Sequence, residues 1–297
     1  MSPHRPGAAP ASRGSRGSRV AGPPGPPPEQ TAQRLRVRFA KRGRLRFASH
    51  RDVARAMERA LRKAELPVAY SGGFNPHPKL SFAGAAPTGV ASEAEYLEVA
   101  LTATCEPGEV RDRLGAALPP GLDVVDVTEV PGGTLGGDLQ ASEWHVTLLG
   151  VPADTVETAC HKFLAADRVE VERLTPKGLR RLDARAAVVA LEPDWRAVHS
   201  GTGGCAILRM VVRHMTPAVR PDDVLAALRQ VAGLAPPSPP LVTRLAQGLL
   251  GVAARGLSEP GAEGSAVADR GADDSGADEI AAATGGAPAP TRWAKAE

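Results

Sequence analysis

Arg34-Leu-Arg-Val-Arg-Phe39 decides how the chain is read. Leu35, Val37 and Phe39 fall on one side of an extended segment, and Arg34, Arg36 and Arg38 fall on the other. That alternation predicts a strand with one apolar and one cationic face. Lys41-Arg-Gly-Arg44 reads as a turn, and Leu45-Arg-Phe47 as the strand resumed. Ser49 then offers a helix N-cap, with Asp52 three residues on as in a capping box. The helix is expected from about His50 to Glu65, stopping before Pro67, with Val53, Met57, Ala60, Leu61 and Ala64 as its buried stripe.

Further along, Val68–Ser71 reads as a short strand, Leu97–Thr102 as a strand, Pro107–Leu118 as a helix and Leu122–Val130 as a strand. This is β-α-β followed by β-α-β, the split layout of a ferredoxin-like unit. Pro131–Gly137 reads as a linker, after which the order roughly repeats. Strands are expected at Trp144–Leu149, Val169–Leu174, Leu182–Leu191, Cys205–His214 and Leu241–Leu245, and helices at Ala153–Ala165 and Pro221–Val231. The expected fold is therefore α+β, with two tandem ferredoxin-like halves at residues 33–130 and 138–250. Residues 1–32 are rich in Pro, Gly and Arg, and residues 251–297 are rich in Gly, Ala and acids. Neither has the apolar content to bury a core, so both are expected to be disordered tails.

Charge is distributed unevenly. Between Arg34 and Val90 thirteen Lys and Arg face three acids, in a chain whose net charge is only +3. A local excess of this size points to a polyanionic partner. On the predicted first helix, Arg51, Arg55, Arg59 and Arg62 sit at i, i+4, i+8 and i+11, one stripe away from the apolar side. Like charges at that spacing repel, and Glu58 offsets only part of it. Guanidinium groups so placed suit phosphates, which they bind through paired hydrogen bonds. A solvated helix face is the plain alternative. Arg34, Arg36 and Arg38 would add a second cationic surface if their face of the sheet is open. Backbone contact with RNA then fits better than base readout, because the outward residues are Arg and not aromatic.

A second feature is Tyr70-Ser-Gly-Gly-Phe-Asn-Pro-His-Pro-Lys79. Gly72 and Gly73 permit close backbone approach, and Pro76 and Pro78 stiffen the C-terminal half of the loop. Tyr70, Phe74 and Asn75 complete a candidate binding loop. His77, held between prolines, is expected to project outward, with Lys79 beside it as an anion contact. His50 at the start of the helix is the second candidate acid or base. Two histidines without an acidic cluster make a poor metal site, and no metal or cofactor is expected. Cys105, Cys160 and Cys205 are far apart and read as buried free thiols. In the second half, Lys177 to Arg185 forms a basic patch, and His199-Ser-Gly-Thr-Gly-Gly204 reads as a loop.

No apolar run approaches the roughly 18 residues of a membrane span. The arginines near the N-terminus are not followed by an apolar segment, so no secretory signal is read there, and a cytoplasmic protein is expected.

Leu45–His50, Glu58–Arg62, Ala69–Phe82, Glu93–Tyr96 and the segment from Lys177 to Arg185 carry a family resemblance. Across roughly residues 33–245 the chain resembles the radical SAM-linked proteins of bacteria, found beside or fused behind a cobalamin-binding radical SAM protein. Gly73-Phe-Asn-Pro-His-Pro78 is the most specific part. The resemblance implies association with a radical SAM enzyme and carries over no catalytic residues. The chain has no C-x-x-x-C-x-x-C motif of its own, so such an enzyme would act in trans. Three readings stay open. One is a non-catalytic accessory protein that binds RNA or presents substrate. Another is a module whose basic face docks an acidic protein. The third is a metal-independent endoribonuclease using His77 and His50.

Overall fold

The alternation at Arg34–Phe39 is realised in a computed structural model as strand β1 (Gln33–Lys41). The structure describes residues 26–130, 135–176, 178–195 and 205–250, with the backbone of 257–258. β1 lies between β3 (Ala91–Leu101) and β4 (Leu122–Glu129), antiparallel to both. β2 (Leu80–Ala83) pairs with the far edge of β3. Helices α1 (His50–Lys63) and α2 (Pro107–Ala117) cover one face of these strands. Leu35, Val37 and Phe39 meet Met57, Leu61, Val110 and Leu114 there, all nearly inaccessible. The first half thus closes over an aliphatic core, as period-2 and period-3.6 apolar faces require.

After the short helix α3 (Leu135–Asp138), the second half runs β5 (Ala141–Leu149), α4 (Ala153–Ala165), a hairpin of β6 (Glu170–Thr175) and β7 (Gly178–Asp183), and the single turn α5 (Ala184–Ala187). It continues through β8 (Val188–Pro193), β9 (Cys205–Arg213), α6 (Pro221–Ala232) and β10 (Leu241–Leu250). A two-residue strand, β11 (Leu257–Ser258), pairs with β10. Phe163, Leu148, Leu208, Met210 and Leu228 anchor a second core beneath α4 and α6. The architecture is mixed α+β with a mostly sheet core and, among the described residues, six helices.

One sheet spans both halves, because β10 lies between them. It runs antiparallel to β5, and parallel to β3 through Thr243↔Ala91 and Arg244↔Ser92. The order across the sheet is β4-β1-β3-β10-β5-β9-β8.

Several local expectations change. Leu45–Phe47 does not resume the strand: Gly43–Phe47 is a 3-10 turn, with Gly43 at positive φ. Val68–Ser71 forms only isolated bridges, Val68 to Leu101 and Tyr70 to Pro78, and the paired strand comes later at β2. Leu182–Leu191 is not one strand. Asp183 caps a helical turn by accepting from the backbone N–H groups of Arg185 and Ala186, which interrupts the extended chain. Residues 131–134 of the expected linker lie outside the described residues, and the rest of that segment enters α3. Residues 26–32, placed within the N-terminal tail from sequence, are part of the described structure and bond to it through Glu29 and Ala32. Residues 1–25, and most of the expected C-terminal tail, lie outside the described residues.

Candidate functional site

The α1 surface begins at its cap. The Ser49 hydroxyl accepts from the Asp52 N–H at 3.2 Å, and the Asp52 carboxylate accepts from the Ser49 N–H at 3.3 Å and its hydroxyl at 2.6 Å. These bonds hold the Asp52 carboxyl below the usual carboxylate range, the Ser49 hydroxyl being the main cause. From this start the apolar stripe of Val53, Met57, Ala60 and Leu61 faces the core, and Arg51, Arg55, Arg59 and Arg62 emerge on the other side. All four are exposed, and among the described residues none of their guanidinium groups makes a hydrogen bond or a close ion pair. Arg59 and Lys63 also edge a groove of about 410 Å³ whose floor is Ala56, Ala60 and Leu118. Just before the cap, Phe47 is 59% exposed, with the Arg46 guanidinium 4.7 Å above its ring.

The strand face differs from the expectation. Arg34 is exposed and shares a groove with Lys79, Ser81 and Glu98, but Arg36 is only 4% exposed and Arg38 is half-buried. Arg36 pairs with Glu98 and Asp138, each at 2.9 Å. The expected open cationic sheet face is therefore covered at Arg36, partly covered at Arg38 and open at Arg34. Leu135 and Leu139, in and beside α3, pack on Ala94 and Tyr96, and Asp138 neutralises the arginine beneath.

The Tyr70–Lys79 loop is held from outside. Its Tyr70 N–H donates to the Glu29 carboxylate at 2.7 Å, its Gly73 N–H donates to the Pro26 carbonyl at 2.9 Å, and the Lys79 ammonium donates to the Glu29 carbonyl. A side chain at Gly72 would come within 2.9 Å of the Pro26 carbonyl, so the chain passes too closely for any larger residue. Phe74 at the tip is 71% exposed, and Asn75 and His77 are exposed as well. The His77 backbone closes the loop on Ser71, donating to its hydroxyl at 3.0 Å and accepting from its N–H at 2.9 Å. His50 lies edge-on to Phe82 with ring centroids 5.2 Å apart. Among the described residues no hydrogen bond or ring contact joins His50 to His77, and no group of His, Cys, Asp and Glu could hold a metal ion.

A cleft of about 640 Å³ lies at the seam of the halves, and its residues carried no signal in the sequence. One wall is the loop after β2, with Ala85, Pro87 and Thr88. The other is the approach to α6, with Val219 and Arg220. Trp144 and Arg244 lie between them. Arg244 is buried and bonded to Glu95, Ser92, Gln247 and the Gly84 carbonyl, and its guanidinium lies 5.3 Å above the Trp144 ring. The Trp144 indole N–H is buried without an acceptor among the described residues. Beside it, His214 donates from Nδ1 to the Leu139 carbonyl at 2.7 Å, so its Nε2 accepts from the Ser142 hydroxyl at 2.7 Å. Partial desolvation lowers the His214 imidazole below its ordinary pKa, which favours the neutral form at pH 7. These groups come from five separate stretches of chain, and each looks ordinary where it stands.

In the second half, Arg180 and Arg181 of the basic patch are exposed on β7, with Arg181 paired to Glu172 at 3.0 Å. Lys177 and the His199–Gly204 turn lie outside the described residues. No helix among the described residues is long and apolar enough to cross a membrane.

No curated protein matches the chain. A bacterial family does match, over residues 34–221, a span that takes in α1, the Gly-Phe-Asn-Pro-His-Pro loop and most of the cleft. On that match the chain belongs to the family described as "Uncharacterized protein conserved in bacteria (DUF2344)".

Proposed function

We propose that the protein is a cytoplasmic accessory factor that holds RNA by its phosphate backbone along α1, and that it presents substrate to a radical SAM enzyme acting in trans. The observation that carries the RNA reading is the set of four exposed guanidinium groups, Arg51, Arg55, Arg59 and Arg62, without close ion-pair partners among the described residues. Guanidinium forks left open on one stripe favour phosphate oxygens. Phe47 and Phe74 supply exposed rings on which bases can stack, a role the sequence alone did not suggest. The radical SAM partner rests on the resemblance at Gly73–Pro78 and its neighbouring motifs.

We also read the two halves as ferredoxin-like units. Strand order β4-β1-β3-β2 in the first half and β10-β5-β9-β8 in the second supports this, each with two helices in the corresponding connections.

The test is RNA binding by the full chain across a salt series, alongside the variant with Arg51, Arg55, Arg59 and Arg62 all changed to Ala. A log–log slope near about −3 that flattens in the variant is expected for about four phosphate contacts on a single strand. Absence of binding at low salt sinks the RNA reading and turns attention to an acidic protein partner.

A further inference from the structure

We infer that the cleft at the seam of the halves is a binding site for a small hydroxylated organic phosphate, a sugar phosphate or a nucleotide. Arg213 and Arg220 stand in its lining, both exposed and, among the described residues, without an ion pair. Two guanidinium groups offer more donors than the two oxygens of a carboxylate can use, and they match the three terminal oxygens of a phosphate monoester. Among the described residues Asp222 is the one carboxylate in the lining, and it too is exposed. A bare anion would be repelled by it. Inorganic phosphate has only P–OH donors, set on the charged group itself, whereas an ester of a polyol presents hydroxyl donors apart from its charge, so the lining favours the ester.

The remaining surface suits the organic part. Ala85, Pro87 and Val219 give apolar walls, and a volume of about 640 Å³ lies within the range of small-molecule sites. Along the cleft lies Trp144, whose buried indole N–H has no acceptor among the described residues. The surroundings are rigid. Arg244 ties the Gly84 carbonyl to Glu95, Ser92 and Gln247, and Lys41 donates to the carbonyls of Ala86 at 3.3 Å and Pro87 at 3.4 Å. A site so braced does not have to be ordered by its ligand.

The inference does not rest on the RNA reading, since the α1 arginines take no part in the cleft. Calorimetric titration of the full chain with ribose 5-phosphate, the four ribonucleoside 5′-monophosphates and inorganic phosphate tests it. At least one ester is expected to bind about tenfold or more tightly than inorganic phosphate. Changing Arg213 and Arg220 together to Ala is expected to weaken the ester about tenfold or more, as removing charge-assisted bonds does. Asp222→Ala is expected to weaken the ester while tightening inorganic phosphate. The four-arginine α1 variant should bind the ester as the native chain does. If base-free ribose 5-phosphate matches the nucleotides, the ligand is a sugar phosphate; if only nucleotides bind, the walls hold a base. Equal affinity for inorganic phosphate and every ester would overturn the proposal, as would no binding, or ester binding that survives loss of both arginines.

Discussion

The Arg244 guanidinium donates to the Glu95 carboxylate across the seam between the halves, joining residues 149 positions apart, and both side chains are almost fully buried. The pair does not stand alone. Arg244 also reaches Ser92, the Gly84 carbonyl and Gln247, and Glu95 accepts from the Ala86 N–H at 3.1 Å. Taking one partner away leaves a buried charge and several unpaired bonds. Arg244→Leu is therefore expected to lower unfolding stability by about 3–5 kcal/mol. The double variant Arg244→Leu with Glu95→Gln should be less damaged than the two single changes summed. Urea unfolding of the three variants measures both effects.

Gly84 is held in place by the same network. Its φ is +60°, and a Cβ there would come 2.3 Å from Oε1 of Gln247. Gln247 has little room to yield, being buried and donating to the Ala94 carbonyl at 2.6 Å. Gly84→Ala should cost about 1–2 kcal/mol from the left-handed backbone alone, and more from the contact. Chemical denaturation reads the loss. A change of a few tenths would show that the loop relaxes freely.

His214 sets a pH dependence. Its folded pKa is lowered, so between that value and the unfolded value of about 6.5 the unfolded chain binds the extra proton. The stability that its neutral form contributes is present above about pH 6.5 and is lost as pH falls through the folded value. Unfolding free energy should therefore rise between acidic and neutral pH, and His214→Gln should flatten the rise. Denaturation curves at a series of pH values check the sign.

Burial pushes the Cys160 thiol up to about 12, while Cys105 and Cys205 are only partly buried. Since the thiolate is the reactive form, Cys160 should resist iodoacetamide in the native protein at neutral pH and react once the chain is unfolded. Peptide mapping after labelling distinguishes the sites.

Much of the element order is legible in the sequence, for identifiable reasons. Ala153–Ala165 and the Ser49–Asp52 start rest on local periodicity and capping, which need no tertiary context. Arg36 illustrates the opposite case. Its alternation is plain in the sequence, but its exposure depends on Leu135–Asp138 folding over it from about a hundred residues away, in a segment that reads as linker. The cleft is invisible for the same reason. Arg213, Asp222, Trp144 and the loop after β2 acquire meaning only through strand order, which no single window contains.

The position of β10 bears on how the chain is made. It fills the gap between β3 and β5, yet it is translated after both of them. A nascent chain that has exposed only residues up to 240 holds an unpaired edge along β5, an unpaired end of β3 at Ala91 and Ser92, and an arginine-free socket around Glu95. Until Leu241–Leu250 clears the ribosome, the halves cannot share one sheet. That interval is when the protein is most open to pairing with the wrong strand, its own or another chain's.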